Sequence, residues 1–304
     1  MLTGRFYQYA PVRSMRVIQQ HDPARLSEGV LVTNIDVFTE LGFGWDRPAA
    51  QQPVDITSVR EVLADFDRGM AGHVWAAAYL EGNPFTYPEV QTLLEGVTVG
   101  GRRVSDAQQI LRLRDGYVLL RDMVADGSFA VDKPTSDALH AAIAAQEARE
   151  SGHFRGEGTA TRDVSVSLGE RGTHFPPGTE PGGANLVARY EQGLRALGDC
   201  QRPFEQAAAY FLFAADNQFY FDGNKRTARA MMNGILLAAG AHAVLVPAQA
   251  RDEFNRIMRD FYADRDATVA MDLFGSCGPR RAATRERLER INELVRDPHR
   301  TIEP

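Results

Sequence analysis

Residues 218–229 read Gln218-Phe219-Tyr220-Phe221-Asp222-Gly223-Asn224-Lys225-Arg226-Thr227-Ala228-Arg229. Downstream, Ala228, Met231, Met232, Ile235, Leu236 and Ala239 follow the i, i+3, i+4 rhythm of a buried helix face, and Gly240 ends the run. This predicts a helix over 224–239 entered from an Asp-Gly-Asn turn. The first N–H groups of such a helix have no intrahelical partner, so its start is a natural seat for phosphate. Arg226 and Arg229, three residues apart, share one side of it, and Asp222 just before it is a hard oxygen ligand suited to Mg²⁺. The same residues also fit a plain turn in which Asp222 caps the helix and both arginines are solvated. No Gly-x-x-x-x-Gly-Lys-Ser/Thr loop occurs elsewhere in the chain to compete for phosphate.

The segment resembles the nucleotide-binding signature of the Fic (Fido) family, His-x-Phe-x-Asp/Glu-Gly-Asn-Gly/Lys-Arg followed after two residues by a second Arg. Asp222, Gly223, Asn224, Lys225, Arg226 and Arg229 match it; Tyr220 replaces the phenylalanine and Gln218 the histidine. The resemblance implies ATP and Mg²⁺. It assigns the metal to Asp222, the α- and β-phosphates to Gly223, Asn224, Lys225 and the adjoining amides, the phosphate tail to Arg226 and the γ-phosphate to Arg229. Family members usually transfer AMP from ATP to a protein hydroxyl, with the histidine as general base. Gln218 holds that catalytic position here.

A second match lies upstream, where residues 79–96 include Glu81-Gly82-Asn83. Ser58 and Glu61 predict a capping box for a helix running to about Leu80, with Gly69 and Gly72 weakening its middle. Glu81-Gly82-Asn83 reads locally as a helix stop and turn. It also resembles the inhibitory Ser/Thr-x-x-x-Glu-Gly-Asn segment of many Fic proteins, which implies that Glu81 pairs with Arg229 and competes with a phosphate oxygen. Ala77 stands at the Ser/Thr position, so the helper hydroxyl is absent.

Between the two motifs, Arg162-Asp163-Val164-Ser165-Val166-Ser167 alternates as a half-exposed strand, and 169–178 is a turn-rich return. The resemblance implies a β-hairpin flap here that holds a protein target by strand addition at 163–177. His174 on this return reads as a solvated loop histidine, and Leu139-His140 as core. Further helices are expected at about 104–126, 134–149, 185–198, 203–217 and 250–263.

The expected fold is mainly α: a Fic/Fido helical core with a β-hairpin flap and a small N-terminal extension carrying some strand at 30–38, followed by a Pro/Gln linker at 46–53. The expected division is extension and linker at 1–54, inhibitory segment at 55–100, core at 101–278 and a charged helix at 279–304. A net charge of -6 argues against nucleic acid. Two cysteines without a CxxC pair favour a reducing, cytoplasmic setting and no structural zinc. Met1-Leu2-Thr3-Gly4-Arg5 has no signal-peptide core, and Asn233, Gly234 and His242 interrupt the longest apolar run, so no membrane partner is expected. Homo-oligomer formation stays open. An amide does not take a proton as an imidazole does, and loss of a general base costs ~10²–10⁴-fold. The leading expectation is an ATP-binding protein with weak or absent AMP transfer. The alternatives are transfer with another base or donor, and phosphotransfer, since Lys225 is shared with the Doc-type toxins of the superfamily.

Overall fold

The computed structural model describes residues 37–50 and 54–278, which are mainly helical. The chain begins with two short helices, α1 (Val37–Leu41) and α2 (Arg47–Ala50). Next come α3 (Val59–Arg68), α4 (Met70–Leu80), α5 (Tyr87–Leu94), α6 (Val104–Ala125) and α7 (Lys133–Ile143). A hairpin of β1 (Val166–Ser167) and β2 (Thr173–His174) follows, antiparallel with Val166 opposite His174. The chain then forms α8 (Ala184–Leu197), α9 (Pro203–Asn217), α10 (Asn224–Ala238), α11 (Arg251–Asp264) and α12 (Thr268–Cys277). Among the described residues no helix is long and apolar enough to cross a membrane.

α9 and α10 pack on each other at the centre, with α6 and α7 against α10 and α8 and α12 against α9. Nearly every residue of both central helices is buried, which is why their sequences lack a clean polar face. Phe211, Leu212 and Phe213 are fully enclosed, each contributing about 1.5–3 kcal/mol by burial. α8 approaches closely because position 193 is glycine: a Cβ there would collide with the Phe213 ring. For the site, the turn between α9 and α10 is held at both ends by buried core helices.

Several expected boundaries move, each for a tertiary or local reason. The helix expected over 58–80 breaks at Gly69, whose N–H turns back to Asp65; Ser58 caps α3 by accepting from the Glu61 N–H. The extension does not form a strand where it is described. Val37 and Phe38 begin α1, and Phe38 packs edge-on against Trp45 with ring centres 4.6 Å apart; residues 30–36 lie outside the described residues. The expected linker contains α2, with 51–53 likewise outside. Trp45 anchors this region by donating to buried Glu205 at 3.0 Å, a long-range contact that local patterning does not reveal. α7 stops at Ile143 rather than near 149. α5 and α12 were not expected; Thr86 and Glu89 form a capping box that starts α5. The charged segment 280–297 lies outside the described residues.

Candidate active site at the turn between α9 and α10

Gln218 terminates α9 in the left-handed region, φ 45 and ψ 56, an uncommon and strained place for a residue with a Cβ. Its side chain turns inward. Nε2 donates to the Ala215 carbonyl at 2.6 Å, and Oε1 accepts from Asn224 Nδ2 at 3.1 Å. Both ends of the amide are thus engaged within the turn.

Asn224 sits at the start of α10. Its Oδ1 accepts the Tyr220 N–H at 2.8 Å, and its Nδ2 also donates to the Tyr220 carbonyl at 2.7 Å. This side chain therefore shapes the loop, and the open donors at the helix start are main-chain N–H groups. Gly223 precedes it with φ 72; a Cβ would lie 2.8 Å from Ala144 Cβ, so the position demands glycine both for its backbone and for space. The Tyr220 hydroxyl, present where the family pattern has phenylalanine, bonds Ser136 Oγ at 2.8 Å and Asp137 Oδ1 at 2.9 Å. Burial pushes the Asp137 carboxyl up, opposed by Lys133 and Tyr220.

His140, expected in the core, is buried there and supports the loop. Its Nε2 donates to the Asp222 carbonyl at 2.9 Å, its Nδ1 accepts the Gly152 N–H at 2.8 Å, and its ring lies 3.7 Å from the parallel Tyr220 ring. Burial, reinforced by Arg226 and opposed by the bond to Asp222, pushes its pKa down to about 4, so it is neutral near pH 7. Arg155, fully buried, is a second support: Nε donates to the Gln218 carbonyl at 2.6 Å and Nη2 to the Pro177 carbonyl at 2.8 Å. It ties the end of the hairpin segment to the turn.

The charged residues converge. The Asp222 side chain is 64% exposed, with Oδ1 accepting the Gly223 N–H and lying 3.5 Å from Arg226 Nη2. Lys225 Nζ is 3.0 Å from Glu81 Oε2, whereas Arg229 Nη2 stands 3.9 Å from Glu81 Oε1. Glu81 thus pairs with the Arg229 that the resemblance names at longer range, and Lys225 is its nearer partner. Burial would raise the Glu81 carboxyl, but Lys225 and Arg229 outweigh it and hold its pKa below the usual value. Arg229 is 4% exposed, and both its Nη1 and Nη2 lack hydrogen-bond partners among the described residues. Its guanidinium lies over the Phe211 and Phe254 rings, 5.8 and 5.7 Å from their centres. Arg226 is equally enclosed, with Nη1 2.9 Å from Glu147 Oε2.

The hairpin closes over the same turn. Arg171, between β1 and β2, pairs with Asp260 at 2.7 Å and Asp264 at 2.5 Å on α11. His174 is not solvated: its side chain is 12% exposed, Nε2 donates to the Asp216 carbonyl at 2.8 Å, and its ring stacks on Tyr262. The Tyr262 hydroxyl in turn donates to the Ala215 carbonyl at 3.3 Å, the acceptor used by Gln218. Sequence reading missed Arg155, Glu147 and Lys225 as the nearer Glu81 partner. No local motif marks the first two, because long-range loop contacts define them. Among the described residues no three His, Cys, Asp or Glu side chains cluster as a metal site. Asp222 alone, exposed and beside a helix start, suits a cation that takes its other ligands from phosphates and water.

Residues 131–236, from the start of α7 through the hairpin to α10, match the family model Fic/DOC family, so a Fic domain occupies this part of the chain. Over 190 residues the chain is 25% identical to Protein adenylyltransferase Fic of Drosophila mojavensis, covering 62% of this chain and 36% of that protein, and it matches the Drosophila melanogaster protein to the same extent. The match thus spans about a third of the length of these curated relatives, and it makes the chain a relative of protein adenylyltransferases. Fic-1 from C. elegans superposes with a TM-score of 0.58 at 16% identity, covering 81% of this chain and 70% of that one. A Fic domain containing signaling protein from Bacteroides thetaiotaomicron gives 0.58 at 19%, covering 79% and 91%. These two likenesses establish the fold.

Proposed function

We propose that this chain binds ATP with Mg²⁺ at the turn between α9 and α10, and that it transfers AMP to a protein hydroxyl weakly or not at all. The observation that carries the binding reading is the buried Arg229 guanidinium, whose Nη1 and Nη2 make no hydrogen bond among the described residues. Each buried donor without an acceptor costs about 1–3 kcal/mol, and a γ-phosphate would remove that cost with charge-assisted bonds. Gly223 and the main-chain N–H groups from Asn224 to Arg226 would hold the inner phosphates with Lys225 beside them, and the Arg226 side chain would meet the phosphate tail. Asp222 would hold Mg²⁺, which neutralises phosphate charge and fixes the tail when bound.

Gln218 supports the attenuated chemistry. A hydroxyl of a target laid along the flap at 163–177 must lose its proton as it attacks the α-phosphate and pyrophosphate departs. An amide with both ends tied into the turn takes no proton, which removes a factor of ~10²–10⁴. Glu81 restrains the site further, since a phosphate oxygen must compete with it for Lys225 and Arg229. Residues 55–100 would then act as the inhibitory unit and 101–278 as the core. Titration calorimetry with Mg-ATP tests binding, and its absence, even with Glu81→Gln, overturns the reading. With α-labelled ATP, label should enter protein in Gln218→His and at most weakly in the wild type; label from γ-labelled ATP would instead mark phosphotransfer.

A second reading, transfer with another base, is favoured by His174. With Nε2–H given to Asp216, its Nδ1 carries the lone pair, and the ring lies one aromatic side chain from the Gln218 turn. Transfer in the wild type that disappears in His174→Gln supports that reading.

A further inference from the structure

We infer that Glu147 is a second internal competitor for the phosphate tail, acting at Arg226 as Glu81 acts at Lys225 and Arg229, and that Gln109 and Asn83 couple the two carboxylates. The inference rests on the nucleotide reading above. Glu147 lies in the loop after α7, close to Gln146 and Glu150, both non-glycine residues in the left-handed region at φ 68 and 55. The loop returns the carboxylate onto α10, where Oε2 meets Arg226 Nη1 at 2.9 Å. Gln109 on α6 donates to the same oxygen at 3.0 Å, and its own oxygen accepts from Asn83 Nδ2 at 2.9 Å. The second Asn83 hydrogen goes to the Asp106 carbonyl at 2.9 Å, and Asn83 Oδ1 accepts the Phe85 N–H at 3.1 Å. Three hydrogen bonds therefore run from the Glu81-Gly82-Asn83 turn to the Arg226 guanidinium.

The Arg226 side chain is 5% exposed and that of Glu147 26%. A pair with one enclosed partner is screened less than a surface pair. A phosphate oxygen approaching Arg226 must displace Glu147 or sit beside a like charge, and either lowers affinity. Glu147 has a path outward because it borders water. Movement of the 81–83 turn as a nucleotide displaces Glu81 removes Asn83 from Gln109 and loosens the hold on Glu147. The two carboxylates then leave together. AMP, lacking the outer phosphates, does not reach Arg226 and so does not meet Glu147.

The test is calorimetry on the full chain with Mg-ATP, Mg-ADP and AMP, for wild type, Glu147→Gln, Glu81→Gln, the double variant and Gln109→Leu, with thermal melts confirming that each is folded. Glu147→Gln keeps an acceptor for Gln109 and removes the charge. It should tighten ATP about tenfold, the scale of one partly buried charge pair, and leave AMP unchanged. Gln109→Leu should tighten ATP in the same direction, which keeps the test open if Glu147→Gln does not fold. The double variant should gain less than the product of the single gains, since each release already favours the other. Unchanged or weakened ATP binding in Glu147→Gln, alongside tightening in Glu81→Gln, overturns the inference and makes Glu147 a support that aligns Arg226. Independent gains in the double variant overturn the coupling. Absence of nucleotide binding in every folded variant overturns the nucleotide reading itself and this inference with it.

Discussion

His140 makes the site's scaffold sensitive to acid. In the unfolded chain its imidazole titrates near 6.5; in the fold, burial between Tyr220 and the 222–223 turn lowers this to about 4. The folded form is thus the poorer proton binder, so its advantage is complete above pH 6.5 and shrinks as pH falls from there toward 4. The loss from this group alone is about 2 kcal/mol at pH 5 and approaches about 3 kcal/mol once both states are protonated. Against a domain stability of about 5–15 kcal/mol this is large. Protonation also leaves Nδ1 unable to accept the Gly152 N–H. Urea unfolding of wild type and His140→Gln at pH 7, 6 and 5 isolates the effect. The variant is less stable at pH 7, since it loses the ring stack, but the gap should narrow by about 2 kcal/mol at pH 5. A gap that stays constant from pH 7 to 5 refutes the argument, because the histidine would then titrate alike in both states.

Gly223→Ala forces a Cβ into a left-handed position 2.8 Å from Ala144 Cβ; it should cost about 2–4 kcal/mol, read by urea unfolding, from backbone strain and overpacking together. Asp222→Asn should leave the melting temperature within a degree or two, because the side chain is exposed, while the Mg²⁺ dependence of ATP binding measured by calorimetry is lost. Gln218→His combined with Glu81→Gly should gain self-labelling from α-labelled ATP, by about 10²-fold or more over Glu81→Gly alone; equal labelling in the two would show that the imidazole does not restore proton transfer. Arg171→Ala severs both ion pairs from the hairpin to α11, and limited proteolysis should then cut faster near Gly169 and Gly172.

The turn and the helix after it were legible because their information is local: a 3.6-residue rhythm, a Gly at the required left-handed position and a stop at Gly240. Much of the helical core followed for the same reason. Where tertiary contacts decide, the sequence was silent. Trp45 finds Glu205, 160 positions away, and so anchors the described part of the extension. Glu147 reaches Arg226 only through a loop with left-handed turns, and nothing in its neighbours announces that role. His174 looked solvated because a turn-rich segment carries it, yet Asp216 and Tyr262 enclose it. Glu81 meets Arg229 at 3.9 Å but stands nearer Lys225, at 3.0 Å, for a geometric reason. The carboxylate enters from the C-terminus of α4, beside the first turn of α10, and Lys225 stands nearer that end than Arg229 does.

Charge balance explains how such a site persists in a folded chain. Lys225, Arg226 and Arg229 gather at one helix start, where the helix dipole also disfavours cations. Left alone, three cations there would repel one another and destabilise the turn. Glu81 serves Lys225 directly and Arg229 at longer range, while Glu147 and Asp222 flank Arg226. The cluster is therefore close to neutral without any bound phosphate, but not fully satisfied, because Arg229 keeps two nitrogens without a hydrogen bond among the described residues. A triphosphate with its metal gains most where the internal carboxylates reach least, at Arg229, and must displace them elsewhere. On the proposed nucleotide reading, the cost of that displacement would restrain binding, whereas Gln218 touches none of these charges. On that reading, restraint on binding and loss of the proton acceptor would reside in separate residues, and substitutions at Glu81 should move affinity without restoring chemistry, while Gln218→His should move chemistry without moving affinity.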